Sequence, residues 1–101
     1  MEVVWSEFSQ RALKDIFDYY KKVAGKPVAK KIKNEILFST KNLAENPEIG
    51  QIEILLEELN EKHRHIVTGN YKIIYKITEK HILITDVFDT RQNPVKMNKL
   101  R

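Results

Sequence analysis

The chain has 101 residues, 42% of them hydrophobic and 32% charged, with no cysteine and a formal net charge of +4. That length holds one domain, expected over residues 1–101, with a modest core. The absence of cysteine excludes a disulfide framework, a thiolate nucleophile and a thiolate metal site, and no apolar run approaches the ~18 residues that cross a bilayer. The opening MEVVWSEF lacks the basic-then-apolar form of a signal peptide, so a cytoplasmic protein without a membrane partner is expected. Residues 1–45 hold nine Lys or Arg against six Asp or Glu, residues 46–60 carry four Glu and no Lys or Arg, and residues 61–101 hold nine Lys or Arg against four Asp or Glu together with all three histidines, so the last part is the most basic. A field of that kind favours a polyanion or an acidic protein segment.

In chain order, EVVW predicts a strand over residues 2–5. Ser6 stands where an N-cap belongs, with Glu7 in the first turn. Phe8, Ala12, Ile16, Tyr20 and Val23, widened by Leu13 and Phe17, then predict an amphipathic helix over 7–24. Gly25 stops it, and Pro27 suits the first turn of a second helix over 27–45, whose apolar face is Val28, Ile32, Ile36, Leu37, Leu43 and Ala44. Asn46-Pro47 ends that helix. The short link makes the pair an antiparallel hairpin. IEILLEELN, from Ile52, has Leu55, Leu56 and Leu59 at helical spacing, which predicts one or two helical turns.

HRHIVT, YKIIYKIT and HILITDVFD, joined by the two-residue links Gly69-Asn70 and Glu79-Lys80, predict three meandering strands. The class is α+β: an N-terminal strand and a helical hairpin packed on one face of an antiparallel sheet. Two-residue turns set the register and alternation sets the faces. One face then collects His63, His65, Val67, Lys72, Ile74, Lys76, Leu83, Thr85 and Val87. The other collects Arg64, Ile66, Thr68, Tyr71, Ile73, Tyr75, Ile77, Ile82, Ile84, Asp86 and Phe88, and is the natural seat for the helices. Asp86 is the odd member there, since a buried carboxylate needs a partner, and Arg64 is the candidate. The first face reads as an open, basic, anion-binding surface.

The early VVW, the hairpin ending in LAENPEIG, the segment HRHIVTGNYKIIYKI and the terminal VFDTRQNP together resemble the RelE/ParE superfamily of type II toxin–antitoxin toxins, over nearly the whole chain. The resemblance implies a growth-inhibiting, plasmid-stabilising type of toxin held in check by an acidic antitoxin. In the ribosome-dependent RNase members, basic and acid–base residues on the open sheet face cut mRNA on the ribosome. Their matching positions fall on His63, His65, Lys72 and Arg91. On that branch His65 or His63 would be base or acid, and Lys72 and Arg91 would hold the phosphate, with Arg64 and Lys76 as further RNA contacts. No metal or other cofactor is required. This sequence departs from those members in having Lys72 for an arginine, which removes a bidentate phosphate contact, and in offering only Met97 near their late tyrosine. The long helical hairpin looks more like the ParE branch, which poisons DNA gyrase without an RNase site. The residues leave both branches open.

Overall fold

The computed structural model describes residues 1–53 and 62–91. Ser6 starts the first helix as expected: it is extended (φ −65°, ψ 161°) and its hydroxyl accepts from the Ser9 amide at 3.1 Å. From this cap α1 runs Glu7–Ala24. Gly25 joins it to α2, Lys26–Lys41, with Pro27 in the first turn. The second helix ends earlier than its apolar pattern suggested. Asn42–Ala44 tightens into a single 3₁₀ turn that seats Leu43 in the core at 0% exposure.

Five strands form one sheet: β1 (Glu2–Trp5), β2 (Gln51–Ile52), β3 (Arg64–Thr68), β4 (Tyr71–Ile77) and β5 (His81–Asp89), in spatial order β1-β5-β4-β3-β2. The sheet is antiparallel except at β1, which lies parallel to β5 and makes it mixed. Ile52 belongs to the short edge strand β2, not to a helix. The remainder of the stretch read as helical, and the basic run 95–101, lie outside the described residues. No helix among the described residues is long and apolar enough to cross a membrane.

The β3–β4 register is the expected one, with Thr68 opposite Tyr71 and His65 opposite Ile74. Gly69 has φ +55° while Asn70 keeps a negative φ, the signature of a II′ turn, whose twist suits the flanking strands. The β4–β5 register starts as expected, with Lys76 opposite Leu83, and then slips. Tyr75 faces Ile84 but Ile74 faces Asp86, so Thr85 is the extra residue of a β-bulge. The slip corrects three face assignments. Val87 moves to the helix side opposite Ile73 and is 2% exposed, whereas Asp86 and Phe88 move to the other face opposite Ile74 and Lys72. It resolves the conflict in the alternation: an apolar side chain enters the core and a carboxylate leaves it. Arg64 and Asp86 therefore lie on opposite faces and do not pair.

The core sits between the helices and one sheet face. Leu13, Ile36, Leu43, Tyr71, Ile73, Tyr75, Ile82, Ile84 and Val87 form it, flanked by Val3, Trp5, Ile16, Tyr20 and Ile32. The start of α1 is fixed to β5 by two bonds to one carbonyl: the Ser6 amide and the Ser9 hydroxyl each donate to Ile84 O at 3.0 Å.

Candidate functional site

The sequence-expected site residues all fall on or beside β3, β4 and the end of β5, so the site is built from what those strands hold in place. Tyr75, on the core face of β4, is 0% exposed. Its hydroxyl donates to Pro47 O at 2.7 Å and accepts from the Gly50 amide at 2.9 Å. Burial raises the Tyr75 pKa, so the phenol stays a neutral donor. Gly50 admits no side chain: an added Cβ would stand 2.5 Å from the Tyr75 hydroxyl. From the next strand Arg64 donates to Gly50 O at 2.8 Å and Glu48 O at 3.3 Å. The NPEIG loop is thus clamped by Tyr75 and Arg64, and the clamp delivers β2 and the residue after it, Glu53, to the second sheet face.

Glu53 is 2% exposed, and its Oε2 lies 2.6 Å from Lys72 Nζ and 3.0 Å from His65 Nδ1. Its amide donates to His63 O at 2.7 Å. The His65 pKa is lowered, first by burial and then by the Lys72 ammonium, against the pull of Glu53. His63 and Asp86 are 1% and 3% exposed, and Ile74 on this face is fully buried. The face read as open to water is thus a largely buried polar cluster. Lys72 points away from the helices, as alternation requires, but its side chain is only 18% exposed. Lys76, further along β4, is half-buried.

Arg91 stands elsewhere. Its amide and Nε donate to Asp89 Oδ1 at 2.8 and 2.9 Å, Nη2 pairs with Oδ2, and Nη2 reaches the Tyr20 hydroxyl of α1 at 3.4 Å. Asp89 lies opposite Tyr71 in register, so this pair is on the helix side. The Arg91 guanidinium lowers the Asp89 pKa, chiefly through its hydrogen bonds. Burial and the Tyr20 hydroxyl push the Tyr71 phenol well above its ordinary range. Together these groups border a groove of about 640 Å³ between α1 and β5.

Of the residues singled out by sequence, His65 and Lys72 are brought together, His63 is buried beside them, and Arg91 is on the opposite side of the sheet. Arg64 holds backbone carbonyls. Among the described residues no group of three or more His, Asp or Glu is arranged to hold a metal ion. Glu53 was missed because Ile52 and the leucines after it imitate a helix. Its signal was the charge contrast, an acidic stretch with no Lys or Arg followed by the most basic part of the chain. Asp89 was missed as a partner although it stands two residues before Arg91, a spacing that lets a turn close the pair.

A family model described as the ParE toxin of the type II toxin-antitoxin system parDE matches residues 3–94. A solved structure described as the chromosomal ParDE TA system from P. aeruginosa is similar with a TM-score of 0.73 at 20% identity, over 88% of this chain and 95% of that one. No curated protein matches the chain.

Proposed function

Because this chain belongs to the ParE toxin family of type II toxin–antitoxin systems, we propose that it arrests growth by binding and poisoning DNA gyrase rather than by cutting RNA. The observation that carries this reading is the disposition of its would-be catalytic groups. Metal-free RNA cleavage needs a base, an acid and a cation converging on one phosphate. Here Lys72 and His65 are both turned onto the buried Glu53 carboxylate, and Arg91 is held by Asp89 and Tyr20 on the far face. A phosphate approaching Lys72 would have to displace a carboxylate already at 2.6 Å. The polar cluster is then a structural element, and the active surface is one that grips another protein. Its natural antagonist is an acidic antitoxin, matched to the chain's net positive charge. Its place of action is the cytoplasm, where gyrase works.

The experiment is a supercoiling assay with purified toxin, gyrase, relaxed plasmid and ATP. The reading expects loss of supercoiling and accumulation of cleaved plasmid trapped on protein, both reversed by stoichiometric antitoxin. Full supercoiling at a large toxin excess would refute it.

A further inference from the structure

Six lysines crowd the end of the helical hairpin: Lys21 and Lys22 in the last turn of α1, and Lys26, Lys30, Lys31 and Lys33 in α2. Residues 19–34 contain no Asp or Glu. All six residues are exposed, and none is ion-paired among the described residues. Lys26, Lys30 and Lys33 follow at spacings of four and three, which is one flank of α2. Lys14 and Lys21, seven apart, share one flank of α1. Lys14 and Lys33 border the same groove, and Lys33 Nζ lies 5.5 Å from the centre of the Phe17 ring of α1. Both flanks therefore border one groove; Lys14 is paired with Asp18 at 2.7 Å, and helical spacing places the unpaired Lys21 on the α1 flank and Lys26, Lys30 and Lys33 on the α2 flank.

We propose that this lysine face binds the phosphate backbone of duplex DNA without regard to base sequence. Lys26 to Lys33 spans about 10 Å at 1.5 Å per residue, the axial length of about three phosphates at 3.4 Å per strand. Unpaired lysines are point charges that need no fixed orientation, which suits sequence-independent contact. A protein partner fits less well. Lysine is depleted from protein interfaces, and Lys21, Lys26 and Lys30 stand beyond the apolar lining of the nearby groove. A single strand fits less well too, because Phe17, the ring beside Lys33, is only partly exposed and already faces the Lys33 ammonium. The proposal goes beyond the gyrase reading and stands without it, although a toxin seated on a DNA-bound enzyme would meet such a duplex.

The test is fluorescence anisotropy of a labelled 20-base-pair duplex titrated with the purified full chain between 50 and 200 mM salt, with no gyrase present. Binding with a Kd of about 1–100 µM is expected, and four lysines predict a slope of log K against log salt of about −3 to −4. The triple variant Lys26→Glu, Lys30→Glu, Lys33→Glu should bind at least tenfold more weakly with a slope flattened to about −1. Lys80→Glu, at an exposed turn remote from the hairpin, should leave binding unchanged. If the triple variant fails the melting check, Lys26→Gln with Lys30→Gln replaces it and should halve the slope. No binding at 50 mM salt, undiminished binding by the lysine variants, or tighter binding to single-stranded RNA or to a polyglutamate peptide would each overturn the proposal.

Discussion

The two faces of the sheet are buried by opposite chemistry. On the helix side Ile73, Tyr75, Ile82, Ile84 and Val87 meet α1 and α2, and their alternation alone predicts which way they point. On the other side Glu53, His63, His65, Lys72 and Asp86 occupy a buried polar cluster. The first face is held by apolar area removed from water, which tolerates small shifts. The second is held by paired groups, where each member depends on its partner. Charged residues on a strand thus do not of themselves mark a wet or working surface: Glu53, just before β3 in the chain, supplies the partner that lets them be covered.

Truncation should separate the faces. Ile73→Ala or Ile84→Ala, at fully buried positions, should cost about 3–4 kcal/mol by urea denaturation. Glu53→Ala comes next, at about 3 kcal/mol, since it strands Lys72 and His65 in a poorly hydrated site. If the second face were an open surface, that cost would fall below about 1 kcal/mol. Tyr75→Phe, which leaves the Gly50 amide and the Pro47 carbonyl without the phenol, should lose about 1–3 kcal/mol. A pH titration is subtler. Because the folded His65 pKa lies below its ordinary 6.5, the unfolded chain takes up the proton first. Stability from this site is therefore complete above about pH 6.5 and declines as pH falls below it. Urea midpoints measured from pH 8 to 5.5 should show that decline in the wild type and a shallower one in His65→Asn. The smallest effect belongs to Arg91→Ala. The Asp89 pKa should rise toward its ordinary value by carboxyl NMR, and the melting temperature should barely move, because the Arg91 guanidinium of the pair is open to solvent.

Much of the fold could be read in advance because local signals agreed. Ser6, Gly25 and Pro27 punctuate the helices where the apolar stripe begins and ends, and two-residue links leave little freedom to the β3–β4 pairing. The bulge at Thr85 could not be read, because a one-residue slip obeys the same alternation until it occurs. Only the misplaced Asp86 hinted at it. The edge strand β2 escaped for a different reason. It is two residues long, is fixed by the distant clamp from Tyr75 and Arg64, and has no periodicity of its own. The site suffered most from these two misses. Without β2 there is no Glu53, and without Glu53 the lysine and histidine of the second face look available. Position after the last strand likewise does not place Arg91, because Asp89 and Tyr20 decide which side it takes.

The most direct measurement is mapping of mRNA ends in a translating extract given purified toxin, wild type beside Lys72→Ala. Intact message is expected with both proteins, while gyrase in the same extract loses supercoiling activity. Codon-positioned cuts made by the wild type and absent with Lys72→Ala would contradict it, because Lys72 would then be leaving Glu53 to meet RNA.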